Sequence, residues 1–171
     1  ITRHLIEQGA RRIAVVGAHP GEQVGSGPLR IEGYRKALED AGIAVDPALI
    51  IEAGLWHRAT GAAAIASAID AGLEFDAVFG PNDALALGVL HMLHQRRISV
   101  PDEVRVAGFD DIDDAAYSTP TLTTVSAGRD QIAATALDYL LERINSPELL
   151  IPPRRLVADY ELMVRDSSRV R

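Results

Sequence analysis

Four carboxylates crowd the stretch Val106-Ala-Gly-Phe-Asp-Asp-Ile-Asp-Asp-Ala115, directly behind a short apolar run. Acids at that place could hold a metal, accept hydrogen bonds from a polyol, or stand in water. Asp110 and Asp111 come first after the run, where a carboxylate can accept from two vicinal hydroxyls or from a ring nitrogen. Solvated loop acids, or one acid capping the following turn, are the plainer alternative. Asn82-Asp83 sits between another apolar run and a helix, and either residue is a favoured N-cap. We read Asp83 as the structural residue and Asn82 as facing a ligand. Arg30 falls in the first turn of a helix read from Leu29, where a cation opposes the helix dipole. Placement against local preference points toward function, and a surface arginine is the competing reading. Trp56, the one tryptophan, lies in Gly54-Leu-Trp-His57. Its flat ring suits the C–H face of a sugar or a base, and equally an ordinary packing role.

Other chemistries lack their residues. The chain has no cysteine, which removes disulfides, thiolate catalysis and Cys-based zinc sites. It has no Gly-x-Ser-x-Gly elbow and no His-Glu-x-x-His pair. His91 and His94 share a helix face, but two ligands do not make a metal site. The loop Gly17-Ala-His-Pro-Gly-Glu-Gln-Val-Gly-Ser-Gly27 lacks the ending of a P-loop and the spacing of a dinucleotide fingerprint. The residues read as binding without turnover: not an enzyme, and with no cofactor or metal expected.

Alternating strands and helices must position these groups. Apolar runs at 12–17, 48–52, 75–79 and 104–108 read as strands, the first of them buried on both faces. Helices are read at 2–8, 29–41, 59–71, 83–96 and 129–144, several stopped by glycine. A Gly/Pro-rich loop spans 19–28, a short strand is read at 122–125, and an edge strand with alternating Leu156, Ala158, Tyr160 and Leu162 at 155–164. Such alternation predicts an α/β fold, a mostly parallel sheet flanked by helices on both faces. Ligands in these sheets collect beyond the carboxyl ends of the strands, where the loop 18–28, Trp56 and His57, Pro81-Asn82-Asp83, and Asp110-Asp111 fall. Helix 83–96 is apolar nearly all round, which predicts a second surface covering it.

Length and charge set outer bounds. The 171 residues suffice for one domain with a core, or for much of a two-lobed protein. A formal charge of -7 argues against this segment gripping a phosphate backbone, which needs clustered positive charge. No apolar run approaches a membrane span. The chain opens without methionine inside an apparent helix body, and reads as part of a longer protein.

Val100-Pro-Asp-Glu-Val-Arg-Val-Ala-Gly-Phe-Asp-Asp-Ile112, followed by Pro120-Thr-Leu-Thr-Thr-Val125, resembles the lactose/galactose-repressor family of bacterial transcription regulators. Gly9 to Gly17, Arg30-Ile-Glu-Gly-Tyr34, Phe75 to Gly88 and the close Val164-Arg-Asp-Ser-Ser168 match in order and spacing. The resemblance implies a periplasmic-binding-protein-like effector domain of two α/β lobes. Residues 1–120 would form the second lobe, 121–146 a crossing strand and helix of the first, and 147–171 the return. It implies effector contacts at Arg30, Asn82 and Asp110, with Trp56 stacking, Asp111 holding the turn, and Asp113 and Asp114 opening a short solvated helix. Ala127 and Gly128 replace the family's polar crossing residue, so no contact is expected there. A homodimer is implied through Leu87, Leu90, His91 and Tyr117. The implied partners are a small effector, a sugar by these groups, and operator DNA through an amino-terminal helix-turn-helix outside this segment. The setting is cytoplasmic, with no membrane. The rivals are a transporter's extracytoplasmic sugar-binding protein and, further off, an enzyme of flavodoxin-like topology.

Overall fold

The computed structural model describes residues 1–19, 25–146, 148 and 150–169. Residues 20–24 of the Gly/Pro-rich loop, and 147, 149, 170 and 171 of the expected return segment, lie outside the described residues. Strand β1 (Ile13–Ala18) buries all six of its residues, as a parallel strand covered on both faces must. It pairs in parallel with β2 (Ile50–Glu52) on one side and β3 (Ala77–Phe79) on the other, and β3 pairs with β4 (Arg105–Ala107). The order is therefore β2-β1-β3-β4. Chain direction across the sheet reverses between β1 and β3, the switch point where open α/β sheets form a crevice.

Alternation along the strands separates two cores. Ile13, Val15, Ala77, Phe79 and Ala107 pack with Leu5 of α1 (Thr2–Glu7) and with Tyr34 and Leu38 of α2 (Ser26–Asp40). Ala14, Val16, Val78 and Val106 pack on the other face with Ile65 of α3 (Arg58–Asp70) and Leu85, Val89 and Leu93 of α4 (Asp83–Gln95). Each fully buried side chain of this size is worth about 1.5–3 kcal/mol, so the expected three-layer arrangement has a core on each side.

The surplus apolar surface of α4 is covered mainly from within. Gly61 of α3 lies so close to α4 that a Cβ there would stand 2.5 Å from the Leu85 carbonyl oxygen, and a Cβ on Gly88 would strike the Arg58 carbonyl. The two helices pack backbone to backbone. On the other side of α4, Leu90 is 6% exposed and belongs to the core cluster that includes Val104, Val106 and Leu122, which corrects its expected place on a dimer surface. Leu87 is half-buried, while His91 and Tyr117 are exposed.

The carboxyl-terminal third departs most from expectation. After the short α5 (Asp113–Tyr117), the ladder is confined to β5 (Thr124–Ser126) and β6 (Glu161–Met163), antiparallel in a separate two-stranded sheet. Thr123 touches the main sheet through one bridge to Ala107. The strands expected at 122–125 and 155–164 are both shortened, because residues 151–160 have no ladder partner despite their alternating pattern. Helix α6 (Arg129–Asn145) buries none of its residues and leaves Ile132, Leu137, Leu140 and Ile144 more than half exposed. Residues 165–168 return to the main sheet. Ser167 Oγ donates to the Val106 carbonyl at 2.6 Å, and Ser168 Oγ lies 2.7 Å from both His4 Nε2 and Thr123 Oγ1.

Candidate functional site

The loops leaving β2, β3 and β4 converge on Arg30. Helix α2 begins at Ser26 rather than Leu29, so Arg30 is the fifth helical residue and the dipole argument drawn from the sequence does not apply. Its guanidinium is instead placed by its surroundings. The guanidinium carbon stands 3.9 Å from the centroid of the Phe109 ring and 5.6 Å from that of Trp56. Nη1 donates to the Pro81 carbonyl, and Nη2 lies 3.6 Å from Asp110 Oδ1. Burial pushes the Arg30 pKa down, and the Asp110 carboxylate pulls it back. Arginine keeps its proton regardless.

Trp56 is fixed by its Nε1–H, which donates to the Gly17 carbonyl at 2.9 Å. Gly17 has φ +133, and a Cβ there would meet Leu85 at 2.6 Å and the Trp56 ring at 3.3 Å. Glycine is thus required where β1 ends. The His19 ring lies parallel to the indole at 6.3 Å. Asn82, not Asp83, caps α4: its Oδ1 accepts from Leu85 N at 2.8 Å, and its amide nitrogen donates to the Trp56 carbonyl at 3.3 Å. The cap therefore ties the loop after β3 to the loop after β2, and the expected division of labour between Asn82 and Asp83 is reversed in this respect.

Asp83 has a different structural role. It is fully buried, its Oδ1 accepts from Thr124 Oγ1 at 2.6 Å, and its Oδ2 accepts from Ile112 N at 2.9 Å. Burial pushes its carboxyl above the usual range, and these two hydrogen bonds oppose the shift. Asp110 is also pushed up by burial, against the pull of Arg30, with Asp83 adding to the rise. Asp110 and Asp111 have φ of +118 and +52, a left-handed stretch that L-residues adopt at a cost. Asp111 Oδ1 accepts from Arg165 Nη2 at 2.7 Å, and Arg165 Nη1 donates to the Leu122 carbonyl at 2.8 Å. Asp113 and Asp114 open α5 as expected, and Asp114 pairs with Arg58.

Arg30, Trp56, Asn82 and Asp110 are thus neighbours. Phe109 and Pro81 complete the setting of Arg30, and Phe109 was not singled out from the sequence. Phe109 was legible as the aromatic residue before Asp110, but nothing in one sequence says which ring will lie under the guanidinium. A groove of about 690 Å³ runs from Arg30 and Phe109 past Ser26, Val125, Ala127 and Tyr160. Among the described residues no group of three or more His, Asp or Glu could hold a metal ion. No described helix is long and apolar enough to cross a membrane.

The profile of the periplasmic binding protein-like domain matches residues 2–168. The chain belongs to that family. Among this domain's relatives, the ribose operon repressor of Escherichia coli is 35% identical over 167 residues, 98% of this chain and 49% of that protein. The HTH-type transcriptional regulator CelR of Thermobifida fusca is 36% identical over 97% of this chain and 47% of that protein. The domain spans about half the length of these curated relatives. A LacI-type transcription regulator from Bifidobacterium animalis superposes with TM-score 0.90 at 35% identity, over 99% of this chain and 62% of that one. The complex of the regulator CelR with cellobiose superposes with TM-score 0.86 at 33% identity, over 97% of this chain and 49% of that one. The domain's relatives are repressors and regulators of the LacI type, as the resemblance in the sequence implied.

Proposed function

We propose that this domain is the effector-sensing lobe of a bacterial transcription regulator, and that its effector is an uncharged sugar. The observation that carries the reading is the convergence at the switch point: Arg30 held over Phe109 and beside Trp56, with Asp110 3.6 Å from its guanidinium. A fork of N–H donors, a carboxylate acceptor and flat apolar faces are what a ring with adjacent hydroxyls requires. Charge favours a neutral ligand. Arg30 is offset by Asp110 and Arg165 by Asp111, while Asp83 is closed off from solvent. The ribose operon repressor and the CelR–cellobiose complex among the relatives support the same class.

In this reading residues 1–120 belong to the second of two lobes, β5 and α6 to the passage into the first, and β6 to the return. The bare apolar side of α6 then packs on the first lobe. Leu87, His91 and Tyr117 face a second copy in a cytoplasmic homodimer, and operator DNA is bound by an amino-terminal helix-turn-helix. The effector shifts the balance between two lobe arrangements, and a coupling of about 1–3 kcal/mol changes operator affinity roughly 5–150-fold. The domain acts as a switch without chemistry on the sugar.

The test is a thermal-shift panel of neutral mono- and disaccharides, D-ribose and cellobiose among them, on the full-length protein. A sugar present at a hundred times its Kd stabilises by about 2.7 kcal/mol. Asp110→Ala is expected to abolish that shift. Equal binding by the Asp110→Ala protein, or a preference for sugar phosphates over the neutral sugars, would refute the assignment.

A further inference from the structure

Asp83 makes no contact in the cleft, yet it grips the loop that presents Asp110 at both ends. Its backbone N–H donates to the Phe109 carbonyl at 2.8 Å, and its Oδ2 accepts from Ile112 N at 2.9 Å. The carboxylate fits because residue 108 is glycine: a Cβ there would strike Asp83 Oδ1. That same Oδ1 accepts from Thr124 Oγ1 at 2.6 Å. Thr124 lies in β5 opposite Met163 of β6, and its hydroxyl also takes the N–H of Asp111 at 3.3 Å. Two further ties run beside the first: the Asp110 N–H donates to the Val125 carbonyl of β5 at 3.0 Å, and Arg165, just beyond β6, bridges Asp111 and the Leu122 carbonyl.

Between the two grips stand Asp110 and Asp111, consecutive non-glycine residues with positive φ. Such a conformation persists only where the surroundings over-determine it. A carboxylate with no exposure is itself costly unless it is fully hydrogen-bonded. A neutral side chain would have been a cheaper staple for a loop that only needed holding.

We propose that Asp83, acting through Thr124, is the positioning residue that ties the Asp110 loop to β5, so that occupancy of the cleft and the setting of β5 change together. This inference rests on the effector reading above. Asp83 is not an effector contact. It transmits, because one carboxylate is shared between the loop that meets the effector and the strand that leaves for the neighbouring sheet.

The experiment uses the full-length protein, with D-ribose and cellobiose as probes, and reads sugar affinity together with amide hydrogen exchange. In the wild type the bound sugar slows exchange in loop 110–112 and in β5 together. Thr124→Val removes the hydroxyl and keeps the shape. It is expected to speed exchange in both segments about tenfold or more without sugar, to leave α3 unchanged, and to weaken the sugar's protection of β5 relative to that of the loop. Thr124→Ser restores the wild-type pattern. Asp83→Ala, which removes both acceptors and leaves the Thr124 hydroxyl in place, is the second variant should Thr124→Val not fold, and it is expected to show the same weakening. Wild-type protection of β5 in folded Thr124→Val or Asp83→Ala overturns the relay. So does a Thr124→Ser protein as defective as the valine variant. A wild type that binds neither sugar overturns the choice of effector and the relay with it.

Discussion

Gly61→Ala places one methyl group where α3 meets α4, and its effect follows from two opposed magnitudes. Alanine is favoured over glycine inside a helix by about 1 kcal/mol. The new Cβ would lie 2.5, 2.9 and 3.1 Å from the O, Cα and C atoms of Leu85. All three belong to backbone, so no side chain can swing aside, and the helices must part by at least 0.5 Å to reach the 3.0 Å that real Cβ atoms observe. Overpacking of this kind costs about 1–3 kcal/mol, and contacts with backbone belong at the upper end. The net loss is about 2 kcal/mol, which lowers Tm by about 4–8 °C in a protein of this size. Gly33→Ala is the control. It lies inside α2 with no atom within 4 Å of the added Cβ, so it keeps the propensity gain alone, and Tm rises by about 2–4 °C. Thermal unfolding followed by far-UV circular dichroism measures both. Trp56 fluorescence reports the site, because Trp56 precedes α3 and Asn82 caps α4, and separating the helices strains the bond between them. If the two variants raise the midpoint alike, the close approach of α3 and α4 is wrong.

Three further outcomes are expected. Arg30→Lys loses the planar stack on Phe109 and the fork toward Pro81 and Asp110, and should weaken sugar binding about 2- to 30-fold in a Trp56 fluorescence titration. Sugar affinity should fall on acidification with a midpoint above the ordinary aspartate value of about 3.9. Burial raises the Asp110 pKa, and protonation turns one of its acceptor oxygens into a donor and ends its pull on Arg30; Asp110→Asn should give a flat Kd profile over the same range. His4 works in the opposite sense. Burial lowers its pKa, aided by Arg169 and opposed by Glu7. Its contribution to stability is therefore present above about pH 6.5 and lost as pH falls through the lower folded-state value. Unfolding in urea against pH should show that loss in the wild type and a smaller one in His4→Gln.

The sheet was legible because its signal is local. Ile13 to Ala18 is apolar at every position, as only a strand covered on both faces can be, and the residues following each strand fell at the crevice by topology alone. Trp56, Asn82 and Asp110 were singled out for that reason, whereas Arg30 was singled out by a dipole argument that the true start of α2 removes. What escaped was non-local. Asp83 reads as a helix cap from its neighbours, and its bond to Thr124 spans forty-one positions that no periodicity connects. The alternation at 155–164 is a true strand pattern, yet only Glu161–Met163 finds a partner to pair with. Leu90 looked available on an apolar helix, yet it packs into the core cluster with residues as distant in sequence as Leu122.

The bare α6 has a consequence for how the polypeptide meets a protease. Seventeen residues of helix without one buried side chain hold together only marginally in water, so the first cut in the isolated chain falls there. The tail beyond it remains pinned by Arg165, Ser167 and Ser168 to Leu122, Val106 and His4. A nicked molecule should run as two pieces on a denaturing gel and elute as one from a sizing column.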